Sequence, residues 1–139
     1  MFTLEQINDI AKLRLRKRDI LTAVKKALPI TEQDDGKLWD LIEQGDLRVW
    51  VGKNEDTVVG LVTTTVIDDL MGNKSILIYT VTGAQVADDY WTKGLAVLSA
   101  YAKKKGASQI VTFMNKPKLA GLVEAAGGQV LYYGIIPCQ

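Results

Sequence analysis

The sequence predicts one mixed α/β domain, a sheet with helices on its faces, and three observations lead to it. Apolar residues follow helical spacing up to about Ile42, then alternate strictly from Leu47. Two β-branched runs follow, Thr57 to Ile67 and Ser75 to Val81, with turn-forming residues before and between them. Beyond Val81, helix-like and strand-like segments alternate, which requires crossovers onto the same sheet. The 139 residues fit a single unit spanning 1–139. Apolar residues at 47% and charged residues at 24% exclude a disordered, collagen-like or coiled-coil chain.

Taken in order, Thr3 and Gln6 have the spacing of a capping box, so a first helix is expected there. Ile7, Ile10, Leu13, Ile20, Val24 and Leu28 continue it at helical intervals, and Pro29 stops it. A second helix begins at Asp34 or Asp35 and closes at Gly45, with acids set among Leu38, Trp39, Leu41 and Ile42. Its acidic face is expected near the basic first helix. Leu47, Val49 and Val51 then mark a strand, Gly52 to Asp56 a turn, and Gly72-Asn73 a second turn, giving an antiparallel meander in which Gly60 marks a bulge. Asp88 or Asp89 caps a helix with Trp91, Leu95, Leu98 and Ala102 on one face and Gly106 beyond its end. A strand over 109–114, a helix over 116–126 stopped by Gly127-Gly128, and a last strand over 129–136 complete the order: two N-terminal helices, meander, helix, strand, helix, strand.

Composition also excludes functions. The formal charge of +1 gives no global field for nucleic acid or an anionic membrane. One cysteine, Cys138, cannot form an internal disulfide, and no apolar run is long enough for a signal peptide or a membrane span. A soluble protein of a reducing compartment is expected. The absence of histidine excludes His-based triads and imidazole zinc sites.

The segment Tyr90-Trp91-Thr92-Lys93-Gly94-Leu95-Ala96, following directly on a third strand, resembles the acyl-CoA loop of the GCN5-related N-acetyltransferase (GNAT) family. The segment from Asn115 to Gly128 is similar to that family's terminal Asn-helix-Gly stretch, and the order of elements matches over nearly the whole chain. The resemblance implies a GNAT fold and acyl-CoA contacts at Trp91, Thr92, Lys93, Gly94, Leu95 and Ala96. In the family, loop amides at a helix N-terminus meet a pyrophosphate. Gly94 and Ala96 fit that pattern, whereas Trp91 stands where the family has Arg or Gln, with Asp88 and Asp89 beside it. The family's last-helix Tyr, an acid for the leaving thiolate, falls at Leu122 or Val123, and the third strand holds no carboxylate base, only Tyr79. These departures imply a degenerate site, with no catalytic residue and no cofactor expected. The resulting expectation is a non-catalytic binding or assembly protein, a pseudoenzyme. GNAT-like proteins of tailed phages have a similar terminal segment, which implies a component of a phage particle built in the host cytoplasm. The alternative is an acetyl-CoA-dependent N-acetyltransferase acting on a small-molecule or protein amine, with water removing the proton.

Other features have plainer readings. The cations between Lys12 and Lys26 could meet phosphates, but no aromatic residues are interleaved for stacking, so a face turned to the acidic second helix is favoured over nucleic acid. Asp68 and Asp69 point to opposite faces and serve a turn. Trp39, Trp50 and Trp91 are expected as core or interface residues, and Tyr132 and Tyr133 as strand packing. A protein partner or self-association is expected; a membrane is not.

Overall fold

Alternation from Leu47 onward builds the sheet on which the helices are placed. The computed structural model describes residues 1–27, 34–83, 88–112, 117–131 and 136–138. Its elements in chain order are β1 (Phe2–Gln6), α1 (Ile10–Leu15), α2 (Lys17–Ala27), α3 (Asp35–Gln44), β2 (Arg48–Asn54), β3 (Thr57–Asp68), β4 (Lys74–Thr82), α4 (Asp88–Lys104), β5 (Gln109–Thr112) and α5 (Pro117–Ala125). The five strands form one sheet in the order β1-β2-β3-β4-β5, antiparallel except for the parallel β4–β5 pair. The expected mixed α/β class is therefore the observed one.

Strand alternation divides the core between the two faces. Val49 and Leu61 pack with Leu13, Ile20, Val24, Leu38, Trp39 and Ile42 of α1–α3. Their neighbours Trp50 and Val62 point the other way, joining Leu4, Ile78, Leu95 and Leu98 beneath α4. The acidic and basic helices meet as their charges imply: Arg14 Nε donates to Glu43 Oε1 at 3.0 Å, and Lys25 Nζ to Asp35 Oδ2 at 2.8 Å.

Several expectations are corrected. Thr3 and Gln6 lie in β1, not in a helix, because Phe2 and Leu4 alternate inward and the residues between them complete the open edge of β2, from Phe2↔Asn54 to Gln6↔Trp50. The helix starts later, where Asp9 accepts a hydrogen bond from Ala11 N at 2.9 Å, and it is interrupted at Arg16 to give α1 and α2. Leu28 and Pro29 lie outside the described residues. The turn expected over 52–56 narrows to Glu55 and Asp56, with Glu55 at φ 56°. The final strand is not found in residues 129–131 or 136, while Tyr132 and Tyr133 lie outside the described residues. The other boundaries fall within two residues of expectation, with 113–116 also outside. No described helix is long and apolar enough to cross a membrane.

Candidate functional site

Two irregularities in β3 and β4 shape the sheet next to α4. Gly52 pairs with Gly60 but Lys53 with Val58, so Val59 is an extra residue beside the expected Gly60 bulge. Thr63 pairs with Thr80 but Thr64 with Ile78, so Tyr79 is an extra residue in β4. The second bulge turns both Tyr79 and Thr80 toward the α1–α3 face, where Tyr79 is half-buried and Thr80 is buried with its hydroxyl 2.6 Å from that of Thr63. Pairing of β4 with β5 runs from Ser75↔Gln109 to Ile78↔Thr112, whereas β4 continues to Thr82 alongside β3.

Gly60 and Gly83 let the end of β4 approach β3. A Cβ on Gly60 would lie 2.6 Å from the Thr82 carbonyl oxygen, and one on Gly83 2.6 Å from that of Val59. Above this crossing, α4 leaves an apolar cleft with a cavity of about 50 Å³, and about 550 Å³ of free space when its open mouth is counted. Its walls come from β1–β4 and from Tyr90, Trp91, Gly94, Leu95 and Leu98 of α4.

The six residues matched to the acyl-CoA loop all lie inside α4, which starts at Asp88. In a helix beginning there, i→i−4 bonding carries the N–H groups of Thr92 to Ala96 to the carbonyls of residues 88–92. Trp91 is 9% exposed and packs inward. Gly94 is buried, and a Cβ there would sit 3.8 Å from Leu4 Cδ2 and 3.9 Å from Phe2 Cε1, so it faces β1. Lys93 Nζ is 3.2 Å from Asp89 Oδ2. Thr92 and Ala96 are exposed, and Leu95 packs against the core beneath the helix.

Elsewhere, Leu122 and Val123 are half-buried in α5, and Asn115 lies outside the described residues. Asp69 serves the turn, accepting hydrogen bonds from the backbone N–H groups of Asn73 and Met71, each at 2.9 Å, and these, Asn73 first, hold its carboxyl below the usual aspartate range. The described residues contain no cluster of three or more side chains suited to a metal. Trp39 Nε1 donates to Glu43 at 3.0 Å and Trp50 Nε1 to Thr64 at 2.9 Å. The indole N–H of Trp91 has no acceptor among the described residues. Phe2 and Leu4, which line the cleft, are site residues that sequence reasoning missed. The alternation of Phe2 and Leu4 was their only signal, and the capping-box spacing masked it.

No family model matches the sequence, and a search of curated proteins finds no match either. Solved structures do match. A probable acetyltransferase aligns with a TM-score of 0.74 at 10% identity, over 99% of this chain and 98% of that one. AAC(6')-Iy, in complex with the bisubstrate analogue CoA-S-monomethyl-acetylneamine, gives 0.71 at 11%, over 100% and 98%. A transcriptional regulator from Bacillus halodurans gives 0.71 at 14%, over the whole of both chains. Likeness at these identities extends to the path of the backbone, and that path is the GNAT fold.

Proposed function

We propose that this chain is a binding or assembly component built on the GNAT fold, without acetyl transfer of its own. The observation that carries this reading is the position of Trp91–Ala96 inside α4, with Gly94 turned toward Phe2 and Leu4. A cradle needs free amides aimed at one point, and a helix that has already started uses them internally. The apolar side chains of Leu122 and Val123 agree with it, since neither can protonate a thiolate. The partner on this reading is a protein, and the resemblance to tailed-phage proteins supports a particle component as its setting.

A second reading is a working N-acetyltransferase. The bulge at Tyr79 favours it, because an extra strand residue turns a backbone group out of the ladder, where it can meet a ligand carbonyl. The fold shared with acetyltransferases also favours it.

Titration calorimetry with acetyl-CoA and CoA separates the two. No heat up to about millimolar ligand is the expected result. Micromolar binding that disappears in Gly94→Glu overturns the proposal in favour of the enzyme.

A further inference from the structure

At the end of α4 away from Trp91–Ala96, two cations have no anionic partner among the described residues. Arg48, the first residue of β2, is half-buried, yet its guanidinium makes no hydrogen bond or ion pair with a described residue. A Cβ on Gly45 would lie 3.3 Å from Arg48 Cζ, so the guanidinium rests against the backbone that closes α3. The negative end of a helix suits a cation there, but no carbonyl accepts from it. Lys105 forms no ion pair either, and its Nζ stands 5.6 Å from the centre of the Tyr101 ring. That ring is held edge-on against Trp50 at 4.9 Å, and its half-buried hydroxyl has no hydrogen-bond partner among the described residues. Unlike Trp91 Nε1, the unpaired polar atoms of Arg48 and Tyr101 are not sealed from solvent. All three side chains line one cavity of about 210 Å³, together with Gly45, Asp46 and two uncharged residues of β3. It shares no residue with the apolar cleft.

We propose that this cavity is a binding site for a small phosphate monoester, whose oxygens accept from the Arg48 guanidinium, the Lys105 ammonium and the Tyr101 hydroxyl. A planar fork beside a point charge and a hydroxyl suits an anion with three terminal oxygens, and two cations match its double charge. Lys103 and Lys104 in the last turn of α4 offset the negative end of that helix. Asp46 opposes the anion, but it is exposed, where solvent screens its charge. Size follows from the cavity: one of roughly 150 Å³ holds benzene, so about eight heavy atoms fit here, of which the phosphate uses about five. The site does not depend on the role proposed above, since none of its residues belongs to the Trp91–Ala96 segment.

Inorganic phosphate and 2-hydroxyethyl phosphate are suitable probes, titrated at constant ionic strength into nitrogen-labelled protein near pH ~7.5, where both are largely dianions. Saturable shifts are expected in the backbone N–H resonances of Gly45 and Arg48, with those of Trp91 to Ala96 left in place. The ester should bind at least about threefold more tightly than phosphate. Arg48→Gln should weaken the ester at least about tenfold, as loss of a charge-assisted hydrogen bond does. Asp46→Asn should tighten it about twofold, by removing a like charge. If Arg48→Gln does not fold, Lys105→Gln and Asp46→Asn, both at exposed positions, decide by their opposite signs. Absence of a saturable shift up to about 100 mM overturns the proposal, as does ester binding that Arg48→Gln leaves unchanged or that Asp46→Asn weakens. Shifts confined to Trp91–Ala96 overturn it in favour of a phosphate at the other end of α4. Equal affinity for the two probes overturns the assignment of a body beyond the phosphate.

Discussion

Phe2 stacks on Tyr90 with ring centroids 4.7 Å apart and planes inclined by 13°, fastening the edge strand β1 to the first turn of α4. The same ring passes under Gly52, where an added Cβ would lie 3.1 Å from Phe2 Cε2. Phe2→Ala should therefore cost about 1–2 kcal/mol, less than a fully buried Phe because Phe2 is half-exposed. Urea unfolding checks the magnitude. Amide exchange checks the location, with faster exchange expected in β1 and not in β4.

The crossing of β3 and β4 leaves no room for a methyl group. Gly60→Ala and Gly83→Ala should each destabilise by about 1–3 kcal/mol, because the atom encountered at 2.6 Å is a backbone oxygen that cannot rotate away. Thermal unfolding of either variant near the native midpoint would contradict the stated approach.

Gly94→Ala should act in the opposite direction. Its new methyl group meets only ordinary contacts at 3.8–3.9 Å, and alanine is the better helix former by about 0.5–1 kcal/mol. A rise in melting temperature is expected. A fall would place Gly94 in a conformation other than the helical one.

Thr63 and Thr80 share a buried hydrogen bond of 2.6 Å. Thr63→Val alone should cost about 1–3 kcal/mol by leaving the Thr80 hydroxyl without that partner. The double variant Thr63→Val, Thr80→Val should recover most of this loss, since both polar groups are then gone. Simple additivity in the denaturation series would refute the coupling.

Glu43 accepts from Arg14 Nε and from Trp39 Nε1, both at 3.0 Å on the same Oε1. These bonds, Arg14 first, hold its carboxyl below the ordinary glutamate range. A carboxylate depressed in the folded state binds its proton more readily when unfolded. Its contribution is therefore present above the unfolded glutamate value and is lost as pH falls through the folded one. A side-chain carbonyl titration by NMR should find Glu43 titrating low in the native chain and closer to an ordinary glutamate in Arg14→Ala.

Much of this architecture was legible in the residues. The change of period at Leu47, the β-branched runs, Gly45 beyond α3 and the face shared by Trp91, Leu95, Leu98 and Ala102 each state a local preference that the fold obeys. The N-terminus misled because Thr3 and Gln6 satisfy a helix start as readily as a strand. Five residues carry too little pattern to choose, and the open edge of β2 made the choice.

The cleft was not legible. Gly52, Gly60 and Gly94 each suggest a turn, a bulge or a motif when considered alone, and only pairing and packing bring them to one cavity. The loop motif shows the same division. Its residue types come from the sequence, but whether their amides face a ligand or a preceding carbonyl depends on where α4 begins. The chain by itself determined the mixed α/β class, the absence of histidine chemistry and the meeting of basic and acidic helices, because period, composition and charge are properties of neighbouring residues. Tertiary structure decided the first strand, the bulge at Tyr79 and the burial of Trp91 beneath α4, because each depends on which distant backbone or side chain lies opposite.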